Sequence, residues 1–391
     1  MNKIIVIPLA SKIHSNYENI FKIFKEKLEN YNILDIIDSE DKLNDKIEII
    51  KNSFPIFLIL TGGTSPLASI IINKCNIKKG LILAHSKNNS LASAISIRNK
   101  INSRIYLLDN EINKAIKIIK ALSKLINIKI GIISENLPND VNKIKELLDC
   151  NIELINYNEI KIEEKLDYNL IKNIDIENTN EDLLKKAIGI YNSIKKIVEE
   201  RKINALAIDC FPFLIKYKIT PCLAVSLLND EGIITACEAD LRSLFLMLII
   251  NSLYNIPSWI ANIALVKENK VIFSHCTIAT KLAEKCKLVN HYESNYPYSL
   301  SCKLKSGFYS ILSIDRNFEK IAIIKANLLE SGMIRNDMCR TQALFEINLK
   351  DFHNIALSNH HVIVPFDIED DLKELASILG IKLLNYERLV H

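Results

Sequence analysis

Glycine is scarce in this chain, with nine in 391 residues. None of them makes a G-x-G-x-x-G or G-x-x-x-x-G-K-[ST] spacing, so both the dinucleotide fingerprint and the Walker phosphate loop are missing. The abundance of Ile, Asn and Lys reads as codon bias, and it thins the glycine turn signals that usually punctuate a sequence. The nine cysteines form no C-x-x-C pair, and most lie in apolar runs such as IDCF and TPCLAV. An odd count in a long chain points to buried free thiols in a reducing cytoplasm rather than a disulfide framework or a zinc site. Long apolar runs are lacking too. Leu241–Ile250 is interrupted by Arg242 and Ser243 and stops at Asn251, short of the roughly 20 residues a membrane helix needs. The start, MNKIIVIPLA, has one Lys and a very short apolar segment, the pattern of a first β-strand and not of a signal peptide. The net charge of +4 is spread along the chain, which argues against a nucleic-acid-binding face.

What is present is enough apolar sequence, 49%, to build two or three cores. In the first third, continuously apolar strands alternate with helical periods: 3–10, 54–61, 79–85 and 103–109 as strands, with helices at 16–31, 66–75, 91–101 and 112–125. That alternation predicts a doubly wound parallel sheet. The pattern restarts with strands at 128–134, 151–157 and 205–210, and helices at 138–148, 182–202 and from 220. After Ile256–Pro257 come shorter alternating segments such as VIFSHCTIA, FYSILSID and RTQALFEI, the texture of a β-rich domain, before a closing helix at 370–380. The expected architecture is α/β: two Rossmann-like domains, 1–125 and 126–256, followed by a β-rich domain, 257–391.

Four segments carry candidate chemistry. TGGTSPLAS follows a strand and precedes a helix. Gly62, Gly63 and Thr64 could bring backbone close to a phosphate or a sugar hydroxyl, or simply turn the chain. HSKNNSLASA also sits at a strand's carboxyl end. There Asn89 and Ser90, with His85, could bind a ligand or cap the next helix. In TACEADLRSLFLMLII, Glu238 and Asp240 precede an apolar helix. They could favour its dipole, or Glu238 could be a partly buried carboxylate in need of a partner such as a metal. His275 in FSHC and the pair His360–His361 in SNHHVIV are the available nitrogen ligands. Adjacent residues on a strand point to opposite faces, so one of the pair at most would normally face a given site.

Several segments together resemble the L-fucose isomerase and L-arabinose isomerase superfamily, and more closely its fucose isomerase-like members. They are ACEADLRSLFLMLIINSLYNIPSWIANIALV with VIFSHCTIA, SNHHVIVPFDIEDDLKELASILGIKL, the TGGT and AHSKNNSLASA stretches, and MCRTQALFEI. The resemblance covers nearly the whole chain and is most specific over 205–276 and 332–382. It implies two Rossmann-like domains and a third, a Mn²⁺ or other divalent-cation site, and aldose–ketose interconversion through an enediol. Glu238 matches the family's metal-binding glutamate and acid/base candidate. His360 matches the metal-binding histidine of fucose isomerases, and His361 the one obtained by aligning on arabinose isomerases. His275 matches a histidine that is a metal ligand in arabinose isomerases.

In one place the chain departs from the pattern. The second acid of fucose isomerases falls on Asn262, and arabinose isomerase alignments put theirs on Leu265 or Ala261. Asn262 could coordinate through its carbonyl oxygen, but it cannot carry a proton at neutral pH. Asp240, His275 or a metal-bound water would then be the stand-in. His291 and Glu293 in NHYESNYPYS, and Arg340 and Gln342 in CRTQ, are the polar groups left for sugar hydroxyls. The expected protein is a cytoplasmic metal-dependent ketol isomerase of carbohydrate metabolism. By resemblance it is a homo-oligomer, trimer or hexamer, with a small sugar as its partner and neither nucleic acid nor membrane. The alternative expectation, resting on Asn262, is a sugar-binding or regulatory protein of the same fold that has lost the reaction.

Overall fold

The computed structural model describes residues 4–162, 167–177, 180–349 and 351–386. They form two compact units: Met1–Ile126 with Asp370–Lys382, and Asn127–Glu369 with Leu383–His391.

Unit 1 is built on β1 (Ile4–Leu9), β2 (Asn32–Ile33), β3 (Phe54–Ile59), β4 (Lys79–Ala84) and β5 (Asn102–Leu107), in the order β2-β1-β3-β4-β5. Every pairing is parallel. β1 and β3 are buried at every position, which is why their sequences are unbroken apolar runs rather than alternating ones. The helices are α1 (Tyr17–Lys27), α2 (Ile47–Lys51), α3 (Ser65–Cys75), α4 (Ser90–Arg98) and α5 (Ile112–Leu125). α5 shows the logic of a covering helix. Ala115, Ile118, Ile119, Leu122 and Leu125 recur every three or four residues and are all buried.

Unit 2 starts with a second parallel sheet. Its strands are β6 (Lys129–Ile133), β7 (Asn151–Ile155), β9 (Ala205–Ile208) and β10 (Ile234–Cys237), ordered β10-β9-β6-β7. Its helices are α6 (Val141–Leu148), α7 (Glu181–Arg201), α8 (Cys210–Tyr217), α9 (Cys222–Asp230) and α10 (Leu241–Tyr254). α10 is apolar nearly all round and buried from Ser243 to Ile250. Such a helix belongs inside a unit, and it packs between β10 on one side and two strands of the β-rich part on the other.

That part holds β11 (Trp259–Lys267), β12 (Lys270–His275), β15 (Phe308–Ile314), β16 (Lys320–Gly332), β17 (Thr341–Glu346) and β18 (His360–Val364). They run β15-β18-β11-β12-β17-β16, and β15 also pairs with β16, so the antiparallel sheet closes into a six-stranded barrel. Closure gives each of these strands a neighbour on both sides. β19 (Lys382–Asn385) extends the sheet beside β16. A separate three-stranded sheet joins β14 (Ser299–Leu304) and β13 (Ala283–Val289) with the short β8 (Ile174–Ile176). The remaining helices are α11 (Phe352–Ile355) and α12 (Glu369–Leu379). We propose reading unit 2 as an α/β part, 127–256, followed by a β-rich part.

Two features differ from expectation. Cys286 and Cys302 are disulfide-bonded, because they stand directly opposite each other on β13 and β14. The other seven cysteines are free, and all but Cys339 are buried. Residues 370–382, including nearly all of α12, join unit 1. Among the described residues no helix is long and apolar enough to cross a membrane.

α12 is tied down through Glu374, which is 3% exposed. Its carboxylate accepts from Tyr106 Oη at 3.0 Å and pairs with Lys114 Nζ at 2.7 Å and Arg104 Nε at 2.6 Å. Glu374→Ala would leave the buried Tyr106 hydroxyl unpaired and should cost about 2 kcal/mol. Thermal melting should show it. Lys117→Ala, which removes a more exposed pairing with Asp371, should cost well under half as much.

Candidate metal centre

β10 ends at Cys237, and the next two residues turn the chain sharply. Glu238 has φ 57° and Ala239 φ 48°, both in the left-handed region that side chains disfavour. Two consecutive non-glycine residues there cost roughly 1 kcal/mol each or more, so the surrounding packing must enforce the turn. The turn presents the half-buried Glu238 carboxylate to two barrel strands. His275, the last residue of β12, brings Nε2 to 3.6 Å from Glu238 Oε1. His360, the first residue of β18, brings its own Nε2 to the same oxygen, also at 3.6 Å. One ligand atom from each of the three lies within 4.8 Å of the others.

These donors fit a divalent cation. His275 Nε2 and His360 Nε2 are both buried and have no hydrogen-bond partner, and buried polar atoms are rarely left so. Two imidazoles and one carboxylate suit a borderline or hard divalent metal.

Asp240 organises the group. It is the N-cap of α10, with Oδ1 accepting from the backbone N–H of Arg242 at 2.9 Å and of Ser243 at 3.1 Å. Its Oδ2 accepts from Ser243 Oγ at 2.7 Å and from His360 Nδ1 at 2.8 Å. Binding Nδ1 turns Nε2 toward Glu238, the usual way a carboxylate orients a metal-binding histidine. Both readings of Asp240, helix-start carboxylate and site residue, therefore meet in one side chain. Its oxygens are committed, which leaves no free oxygen for a proton-carrying role.

The charges follow from these contacts. Burial alone would raise the Glu238 carboxyl, but His275 and His360 outweigh it and hold the group well below the usual carboxylate range. Burial lowers His360, yet Asp240 and Glu238 overcome that and push it up to about 9. His275 is lowered, first by burial.

The structure separates the two adjacent histidines. His361 is fully buried on the other face of β18, with its ring against Phe273 and Phe352, and burial pushes it down to about 4. It is absent from the ligand group, and strand alternation is the reason. Asn262 lies on β11 opposite His360 in register, and its Oδ1 accepts from Asn359 Nδ2 at 3.1 Å.

Around the site, His291 is buried, with Nδ1 near Ser294 Oγ at 3.1 Å. It is pushed down to about 4 by burial and by His275 and Arg340. Arg340 lies over the Tyr292 ring and donates to Asn290 O at 3.2 Å. Glu293 is exposed. Gln342 is a correction to the expected sugar-binding set. It is fully buried, Nε2 donating to Arg335 O and Cys339 O and Oε1 accepting from Arg335 N, so it braces a loop.

In unit 1 the two candidate loops meet each other. Gly62 N donates to Asn88 O at 2.6 Å, and a Cβ on Gly62 would stand 2.9 Å from Asn89 Cβ. Thr64 Oγ1 donates to Thr61 O, and Ser90 Oγ donates to Ile59 O. These hydroxyls are spent on backbone carbonyls, and neither caps α4. Gly63 has φ 73°, so the turn does need glycine there. Asn89 is exposed at the start of α4 and makes no side-chain cap bond. His85 is buried, Nε2 at 3.0 Å from Leu60 O, and its ring packs against Phe24.

Two polar groups not singled out in the sequence stand at the same sheet edge as Glu238. Asp209 follows β9, Ser134 follows β6, and Ser134 Oγ donates to Asp209 Oδ2 at 3.2 Å. The available signal was a polar residue immediately after a buried apolar strand, the same signal that marked TGGT.

The buried Glu–His–His group defines a candidate metal centre in an α/β-plus-barrel fold. No family model matches the chain. Its sequence is 21% identical to sulfoquinovose isomerases of Priestia aryabhattai and Priestia megaterium, over 71% of this chain and 69% of theirs. It is 22% identical to a sulfoquinovose isomerase of Alkalicoccus urumqiensis, over 50% of this chain and 47% of that one. The chain is thus distantly related to sugar isomerases, and the relatives found are named for sulfoquinovose, not for fucose or arabinose.

The His360–Asp240 pair predicts a pH effect in metal-free protein. With His360 raised from 6.5 to about 9, the pair's stabilisation is complete below pH 6.5 and is lost as pH rises through about 9. The melting temperature of metal-free protein should fall across that interval, and Asp240→Asn should flatten the fall.

Proposed function

We propose that this protein is a divalent-metal-dependent sugar isomerase that interconverts an aldose and a ketose. The observation that carries the reading is the convergence of Glu238, His275 and His360 on one point. The distant relationship to sugar isomerases supports it. Manganese is the cation we infer, by resemblance. Once bound, a divalent cation would polarise the sugar carbonyl and offset the negative charge that develops as the enediol forms.

The chain's own residues have separate tasks. Glu238, His275 and His360 hold the cation, and Asp240 keeps His360 turned toward it. Glu238, ionised at neutral pH, also takes the proton from the carbon beside the carbonyl. We assign His291, held neutral by burial, and Arg340 to the sugar oxygens. By resemblance we also infer a homo-oligomer, a trimer or hexamer. A second reading, sugar binding without turnover, is favoured by Asn262, whose carboxamide cannot exchange protons and already bonds Asn359.

Mn²⁺ should raise the melting temperature of the wild-type chain and not that of Glu238→Gln, with both folded by circular dichroism. Sulfoquinovose, L-fucose and L-arabinose should then be screened for ketose formation. Turnover of one of them that is lost in Glu238→Gln supports the isomerase. Sugar binding without turnover favours the second reading, and no Mn²⁺ effect on the wild type would sink the metal-dependent isomerase.

A further inference from the structure

We infer that Asp209 is the second carboxylate of the reaction, handling the hydroxyl proton while Glu238 handles the carbon-bound one. The inference rests on the isomerase reading above. Its basis is placement. β9 and β10 are parallel neighbours paired Ile208 with Cys237, so Asp209 and Glu238 are the next residues on adjacent strands. Neighbouring strands lie about 4.8 Å apart. The backbone locks the two ends together, since Ala239 N donates to Ile208 O at 3.0 Å. Both residues stand at the carboxyl edge of an open parallel sheet, where such sheets bind ligands.

Asp209 is also held without being used up. Ser134 Oγ donates to its Oδ2, and Tyr157 Oη donates to its backbone carbonyl at 2.9 Å. Its side chain caps no helix, although it precedes α8. It is half-buried, neither solvated like Glu293 nor sealed like Asp240. Of the carboxylates at this centre, Asp240 is bound to His360 and α10, and the position across from His360 holds Asn262. Burial raises the Asp209 carboxyl above its ordinary value, and Glu135 and Glu238 add to that against hydrogen bonds from Ser134 and Tyr157.

The step balances within the site. Glu238 takes the C2 proton of the aldose, and that C–H pair becomes the C1–C2 double bond. The carbonyl π pair moves onto O1, which takes a proton from Asp209. In the second half Asp209 accepts the proton of O2, and that O–H pair forms the C2 carbonyl. The double-bond pair then takes the proton held by Glu238 onto C1. No further reactant is consumed.

The test uses full-length Mn²⁺-loaded protein with sulfoquinovose, L-fucose and L-arabinose in deuterium oxide, followed by NMR. Two rates are read: ketose formation and deuterium exchange at C2 of the aldose. Asp209→Asn should keep Mn²⁺ binding within about twofold and slow ketose formation on the order of 100-fold. C2 exchange should fall much less, so the ratio of exchange to isomerisation rises. Asp209→Glu should restore part of the isomerisation rate. Should Asp209→Asn fail to fold, Asp209→Glu and Ser134→Ala report the same ratio. Isomerisation within about threefold of wild type and an unchanged ratio overturn the assignment, as does loss of Mn²⁺ from a folded Asp209→Asn. Wild-type protein that takes up Mn²⁺ and turns over none of the three sugars, or that takes up none, overturns the isomerase reading itself and this inference with it. That failure is distinguishable because it appears before any variant is compared.

Discussion

One carboxylate, that of Asp240, holds this centre together. One oxygen caps the buried helix α10 and the other fixes the ring of His360, whose backbone lies 120 residues further on. Without the cap, an apolar helix would begin with unsatisfied N–H groups inside the unit. The bond to Nδ1 holds His360 Nε2 toward Glu238. The strained turn at Glu238 and Ala239 lies directly before this residue, braced by Asp240 N donating to Cys237 O at 3.1 Å. Local strain persists here because the cap, the histidine and the neighbouring strand all constrain the same three residues.

The two architectures of unit 2 meet their requirements at this point. A parallel sheet places loop residues at the carboxyl ends of its strands, which gives Ser134, Asp209 and Glu238 in a row. A closed antiparallel barrel holds its strands in fixed register, which places His275 and His360 at strand ends with ring centroids 5.6 Å apart. The sheet supplies carboxylates and the barrel supplies imidazoles. α10 lies between them, and its all-round apolar surface is what allows both to pack on it. The depressed Glu238 and the raised His360 follow from bringing these groups together in a buried place.

Much of the fold was legible in the chain. Buried parallel strands read as unbroken apolar runs, so FPIFLI and ALAI were identifiable without knowing their neighbours. Glu238 stood out as a carboxylate beside an apolar helix, and the resemblance marked His275 and His360. Other elements were not legible, for physical reasons. β8 is only three residues long and gains its place from pairing with β13 far along the chain. Cys286 and Cys302 look like any two thiols until strand register sets them opposite each other. Gln342 looked like a ligand for hydroxyls, but a buried amide near a loop spends its hydrogen bonds on that loop's backbone.

Composition and periodicity by themselves determined the two parallel sheets, the β-rich remainder and the lack of glycine-rich nucleotide loops, because each is a statement about neighbours in sequence. They also determined that His360 and His361 face opposite ways, since a strand's period is two. Which of the two faces Glu238 was decided only by the tertiary structure. The answer depends on which face of β18 the barrel turns toward β10 and α10, and no local pattern records that. The same holds for Asp209. It is an ordinary acid after a strand until parallel pairing with β10 sets it beside Glu238.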